Sequence, residues 1–127
     1  MTRYQGRTGR LLSGARLRSQ VGKKKRMLGR APSETGIGPE VRKKVRTLGG
    51  TPKYRLYKAE SVNVVNTKTG KVQSTEILDV EKNPASRDYQ RRRIITKGAI
   101  LKTNLGSVRV SNRPGKEGFV NAVLLEE

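Results

Sequence analysis

The chain has no cysteine and no histidine among its 127 residues. That excludes disulfides, thiolate metal sites, Cys or His nucleophilic relays and imidazole acid-base chemistry, while cysteine usage fits a reducing cytosol without requiring one. Apolar residues are 32% of the total and aromatics 4%, too little for a large core. A chain of this length is one domain's worth, with modest stability expected. No apolar run reaches the roughly 18 residues that cross a bilayer, and the basic start is not followed by the apolar stretch of a secretory signal. Carboxylates are scarce and uneven: ten Asp or Glu stand against 29 Lys or Arg, for a net charge of +19, and none precedes Glu34. An Arg-rich, acid-poor beginning also marks organelle transit peptides, but here the basic character runs past residue 46, which a removable leader does not need.

What is present is concentrated at the front. Residues 1–50 hold fourteen Lys or Arg against Glu34 and Glu40, so they carry +12 of the +19. Their apolar residues are few and scattered (among them Val21, Met27, Leu28, Ile37, Val41, Val45, Leu48), and Gly6, Gly9, Gly14 and Gly22 interrupt every window long enough to nucleate a helix. The segment therefore reads as an extended basic arm that takes its order from a partner. Arg3, Arg7, Arg10, Arg16 and Arg18 lie among small residues that let the backbone approach phosphates, and each guanidinium fork can take two oxygens. The run Lys23-Lys24-Lys25-Arg26, with Arg30 beyond it, repels itself in free solution, and a polyanion relieves that repulsion. A solvated tail and a nuclear import signal are the blander readings of such charge. Gly36-Ile37-Gly38 lacks the preceding strand and the following Gly-Lys-Thr of a phosphate loop. Pro39 and Glu40 suit a helix start, so a short helix is expected over 40–48 with Val41, Val45 and Leu48 on one face and Arg42, Lys43 and Arg46 on others; Gly49-Gly50 ends it.

From Thr51 the texture changes to β-branched residues and mixed charge, fifteen cations against eight acids. Six short strands are expected: 53–66, with a bulge near Ala59 to Ser61; 71–81; 89–96; 99–103; 107–111; and 119–125, joined by turns rich in Asn, Gly and Pro. The fold expected is mostly β, a small six-stranded antiparallel barrel or sandwich over residues 51–127 preceded by the basic arm of residues 1–50. Arg91, Arg92 and Arg93 then fall on a strand, where they either protect an edge or contact nucleic acid. Tyr54 and Tyr57, flanked by Lys53, Arg55 and Lys58, either stack on exposed bases or pack on the barrel. Glu76, Asp79 and Glu81 are close enough in sequence to raise a Mg²⁺-dependent nuclease, though ordinary surface ion pairs explain them more simply.

Four stretches carry a resemblance to a known family: Lys23-Lys24-Lys25-Arg26-Met27-Leu28-Gly29-Arg30-Ala31-Pro32-Ser33-Glu34-Thr35; Val45-Arg46-Thr47-Leu48-Gly49-Gly50-Thr51-Pro52-Lys53-Tyr54-Arg55; Ile95-Thr96-Lys97-Gly98-Ala99-Ile100; and Ser111-Asn112-Arg113-Pro114-Gly115-Lys116-Glu117-Gly118-Phe119-Val120-Asn121-Ala122-Val123-Leu124. In this order they resemble the small-ribosomal-subunit protein eight shared by archaea and eukaryotes, in its shorter archaeal form. Leu11-Leu12-Ser13-Gly14-Ala15 departs from the family's usual Lys-Pro-Thr-Gly-Gly. The resemblance implies a non-enzymatic, cytoplasmic component of the small ribosomal subunit, partnered by small-subunit rRNA and neighbouring ribosomal proteins, with no cofactor, metal, small-molecule substrate or membrane. The rRNA contacts then expected are Arg3, Arg7, Arg10, Arg16, Arg18, Lys23, Lys24, Lys25, Arg26, Arg30, Arg42, Lys43, Lys44, Arg46, Lys53, Tyr54 and Arg55. A DNA-compacting architectural protein shares the charge but would use wedge residues or a duplicated module, and a nuclease would use the three acids.

Overall fold

The computed structural model describes residues 4–18 and 21–125, and the chain divides into two compact units, residues 1–32 and residues 33–127. The expected division at Gly50 falls instead inside a hairpin turn of the second unit. That turn joins β2 (Val41–Arg46) to β3 (Pro52–Ala59), and with β1 (Gly36–Ile37) they make a three-stranded sheet in the order β1-β3-β2.

The helix expected over 40–48 is therefore a strand. Two turns of isolated helix are marginal in water, and this one would crowd Arg42, Lys43, Lys44 and Arg46 around a thin apolar stripe. As β2 the same residues gain an antiparallel ladder with β3, from Arg42 opposite Leu56 to Arg46 opposite Pro52, and alternation sends neighbouring charges to opposite faces. The turn closes with the Thr47 amide donating to the Thr51 carbonyl at 3.1 Å and the Thr47 hydroxyl donating to the same oxygen at 2.6 Å. Gly50 takes the left-handed conformation that this turn requires, φ +81°.

After Glu60 the chain enters a closed barrel of five strands: β4 (Ser61–Val65), β5 (Val72–Lys82), β6 (Ile100–Thr103), β7 (Gly106–Val110) and β8 (Asn121–Leu124). Neighbours pair antiparallel except β4 with β8, which run parallel and close the barrel. Strand alternation fills the interior with Val62 and Val64, Leu101 and Thr103, Val108 and Val110, and Ala122, while a register shift in β5 between Ile77 and Asp79 lets both Ile77 and Val80 be buried. Leu56 and Ala59 from β3, with Ile95, Ala99 and Val120, complete the apolar cluster. The strand expected over 53–66 is thus two strands in two sheets, broken at the expected bulge.

The strand expected over 89–96 is not there. Arg87–Arg91 form a short helix, α1, capped by the Ser86 hydroxyl accepting from the Asp88 amide at 3.2 Å, with Asp88 in its first turn and Arg91 in its last. Arg93 ends it at φ +53°, and the chain continues into buried Ile94 and Ile95. The turn expected over 112–118 likewise contains a single helical turn, α2 (Pro114–Glu117), with Pro114 at its start and Gly118 left-handed at its end.

Two buried polar side chains tie these pieces together. The Thr35 hydroxyl donates to the Leu56 carbonyl at 2.9 Å, while the Ile95 amide donates to the Thr35 carbonyl at 2.7 Å. Asn83 donates to the Ile94 carbonyl at 2.9 Å and accepts from the Ala85 amide and the Thr96 hydroxyl, both at 3.0 Å. Each is satisfied, so each holds a loop without leaving a buried polar group unpaired.

Candidate nucleic-acid interface

The first unit is a folded-back loop rather than the single extended arm expected. Antiparallel bridges join Tyr4 to Leu28 and Arg10 to Arg16, and the Leu11 amide donates to the Ala15 carbonyl at 2.9 Å across a tight turn. A 3-10 turn (Lys25–Met27) follows the cationic run. Small residues and glycines make this compact path possible, but they supply little to bury: among the described residues of this unit Gly29 alone is buried. Arg7, Arg10, Arg16, Arg18, Lys23, Lys24, Lys25, Arg26 and Arg30 are all exposed; Arg3 lies outside the described residues. Residues 1–32 contain ten cations and no carboxylate, so no ion pair can form inside the unit. Its polar contacts use neutral groups: Arg10 donates to the Gly14 carbonyl at 3.0 Å, the Tyr4 hydroxyl to Met27 Sδ at 3.1 Å, and the Lys23 ammonium sits 5.7 Å from the Tyr4 ring centre.

The remaining expected contacts gather on the ribbon made by β2 and β3. Register places Arg42, Lys44 and Arg46 on one face with Tyr54 and Leu56, and Lys43 and Val45 on the other with Lys53, Arg55 and Tyr57. Arg42 is ion-paired with Glu40, and the Lys43 ammonium lies 5.1 Å from the Tyr57 ring centre. Lys44, Arg46 and Lys53 are exposed and form no ion pair among the described residues. Tyr54 is half exposed, and Tyr57 carries the Lys43 ammonium over its ring.

The sequence does not reveal what supports the ribbon. Helix α2 packs against β3, and Gly118, at φ +83°, lies so close that a Cβ there would meet Tyr54 Cβ at 2.9 Å. Arg113, the N-cap of α2, and Lys116 within it are both exposed. Gly118, after the single turn that Pro114 starts, is the sequence signal for this close approach.

Arg91, Arg92 and Arg93 behave differently. Arg91 pairs with Asp88 at 3.1 Å, Arg93 with Asp79 at 3.4 Å, and Arg92 with both Glu34 and Asp88. Glu34, by its hydrogen bond first and its charge second, raises the Arg92 pKa above its already high ordinary value. A raised base contributes its stabilisation at every pH below that value and loses it only when the guanidinium deprotonates, so this link holds over the whole working range on the arginine's side. The three acids weighed for catalysis are dispersed. Asp79 accepts from Arg93 and the Val80 amide, Glu81 accepts from the Ser107 hydroxyl at 3.1 Å, and Glu76 is exposed opposite Ser61. No group of three His, Cys, Asp or Glu side chains able to hold a metal exists among the described residues, and no helix there is long and apolar enough to cross a membrane.

A closed five-stranded barrel joined to a cationic ribbon, following an acid-free cationic unit, defines a class of small basic β proteins whose exposed charge matches a dense polyanion. Within that class the chain belongs to the ribosomal protein S8e family, whose model matches residues 4–125. It is 48% identical over 122 residues to the small ribosomal subunit protein eS8 of Methanoculleus marisnigri, covering 96% of this chain and 98% of that relative. It is also 44% identical over 123 residues to that of Methanospirillum hungatei, and 46% identical over 121 residues to that of Methanobrevibacter smithii, in each case over more than nine-tenths of both chains.

Proposed function

We propose that the protein is a structural constituent of the small ribosomal subunit in the cytoplasm, binding small-subunit rRNA and lying against neighbouring ribosomal proteins, with no catalytic role. The observation that carries this reading is the mismatch of charge: ten cations without a carboxylate in residues 1–32, continued by exposed Lys44, Arg46 and Lys53 on the ribbon. Such an array repels itself until phosphates neutralise it, and each neutralised phosphate releases condensed counterions. Membership of the S8e family supports rRNA as that polyanion. The contact set proposed is Arg3 through Arg30 in the first unit and Arg42, Lys43, Lys44, Arg46, Lys53, Tyr54 and Arg55 on the ribbon. These residues contact rRNA phosphates, and the barrel anchors the cationic segments.

Binding of the purified chain to small-subunit rRNA, measured across a salt series, tests this. With about ten phosphates neutralised, log K falls with log salt at a slope of roughly −7 to −9. A slope shallower than about −3 would remove the reading. Sedimentation of a lysate provides the second test: the protein should travel with the small subunit at low salt and be released at high salt.

A further inference from the structure

We infer that the β2–β3 ribbon does not lie on one RNA surface but enters between two facing phosphate backbones, one for each of its faces. This rests on the rRNA reading above and adds its geometry. A strand that contacts a single polyanionic surface needs cations on alternate positions only, with the other face apolar or neutral. This ribbon has them on both: Arg42, Lys44 and Arg46 on the Tyr54 face, Lys43, Lys53 and Arg55 on the Tyr57 face. Of Arg42, Lys43, Lys44, Arg46 and Lys53, Arg42 alone is ion-paired among the described residues, with Glu40. Toward its turn, beyond the part of the Tyr54 face that α2 and the core cover, the ribbon is open on both sides; there its two cationic faces repel across the sheet, and a polyanion on one side relieves only half of that repulsion.

The tip points the same way. Leu48 is fully exposed between Thr47 and Gly49, at the end of a ribbon about 20 Å long. An apolar tip with charged flanks suits a crevice in which phosphates line the walls and sugars or base edges meet the end. Two sources supply facing backbones: two separate rRNA helices, or the two strands that wall one groove of a single helix.

The full-length protein, with surface pairs replaced, separates these outcomes. K44A/R46A removes two of the three cations named on one face and K43A/K53A two of the three on the other, and neither touches the core. Against in vitro transcribed archaeal small-subunit rRNA, each pair should make the salt slope shallower by about 1 to 2, and the combined variant by the sum. Backbone footprinting should show each pair uncovering a different set of nucleotides: sets in two helices identify the first source, sets on opposite strands of one helix the second. Leu48→Ser should weaken binding roughly tenfold with no change in slope, because apolar burial releases no counterions. If both pairs uncover the same nucleotides, or one pair leaves slope and footprint unchanged, the two-sided arrangement is wrong even though rRNA binding stands. If the unmodified chain itself binds with a shallow slope, the rRNA reading fails first.

Discussion

Two runs of consecutive cations in this chain, Arg42-Lys43-Lys44 on the ribbon and Arg91-Arg92-Arg93 after α1, are nearly identical as sequence and opposite as structure. At the second run the fold brings Asp88, Glu34 and Asp79 into ion pairs with all three arginines, so the charge is neutralised inside the protein. At the first, Arg42 alone finds an acid among the described residues, and its neighbours project to the two faces of an exposed ribbon. A cationic run is therefore not a binding site by itself; what decides is whether tertiary neighbours neutralise it before a ligand does. The arginine corner stabilises the fold through Glu34, while the ribbon keeps its charge for a partner.

Replacing the largest unmatched run, Lys23 to Arg26, by alanine should make the salt slope of rRNA binding shallower by about 3, as four phosphate contacts require. The triple variant R91A/R92A/R93A should move it by less than about 1; equal effects from both sets would break the distinction. Gly118→Ala comes next. A left-handed alanine costs about 1 to 2 kcal/mol, and its methyl would press on Tyr54 Cβ, so thermal unfolding should fall by several degrees and amides of β3 should exchange faster. The arginine corner should keep its protection. Thr35→Val removes the hydroxyl from the buried contact with Leu56 and should cost about 1 kcal/mol in denaturant unfolding, with rRNA binding unchanged where the protein is folded. Smallest of all, Arg92→Ala should destabilise less than Thr35→Val does, because the pair with Glu34 is half exposed and water screens it. A larger loss would mean that the corner, rather than the Thr35 contact, holds residue 34 in place.

The barrel was legible because period-two patterns such as Val62-Asn63-Val64 and Ser107-Val108-Arg109-Val110 alternate wherever one face is buried. The hairpin at 66–71 was legible from its turn residues. The helix expected over 40–48 failed because Val41 and Val45 fit either period, and only pairing with β3 selects the strand. The strand expected over 89–96 failed because apolar Ile94 and Ile95 outweighed the Ser86 cap and Asp88, whose local hydrogen bond starts α1. Cationic candidates could be named from composition, but their division between two faces needed the register of β2 on β3. The support of β3 by α2 needed the tertiary packing.

By itself the sequence determined that this is a small, strongly basic β protein without thiol or imidazole chemistry, and that its charge is heaviest in the first third. Those properties are sums over residues and survive any arrangement of the chain. Which cations meet an acid, which face each of them occupies, and where the chain divides into units were decided by tertiary structure. Charge neutralisation acts over a few ångströms, and only folding brings Glu34 to Arg92 while leaving Lys44 without a carboxylate among the described residues.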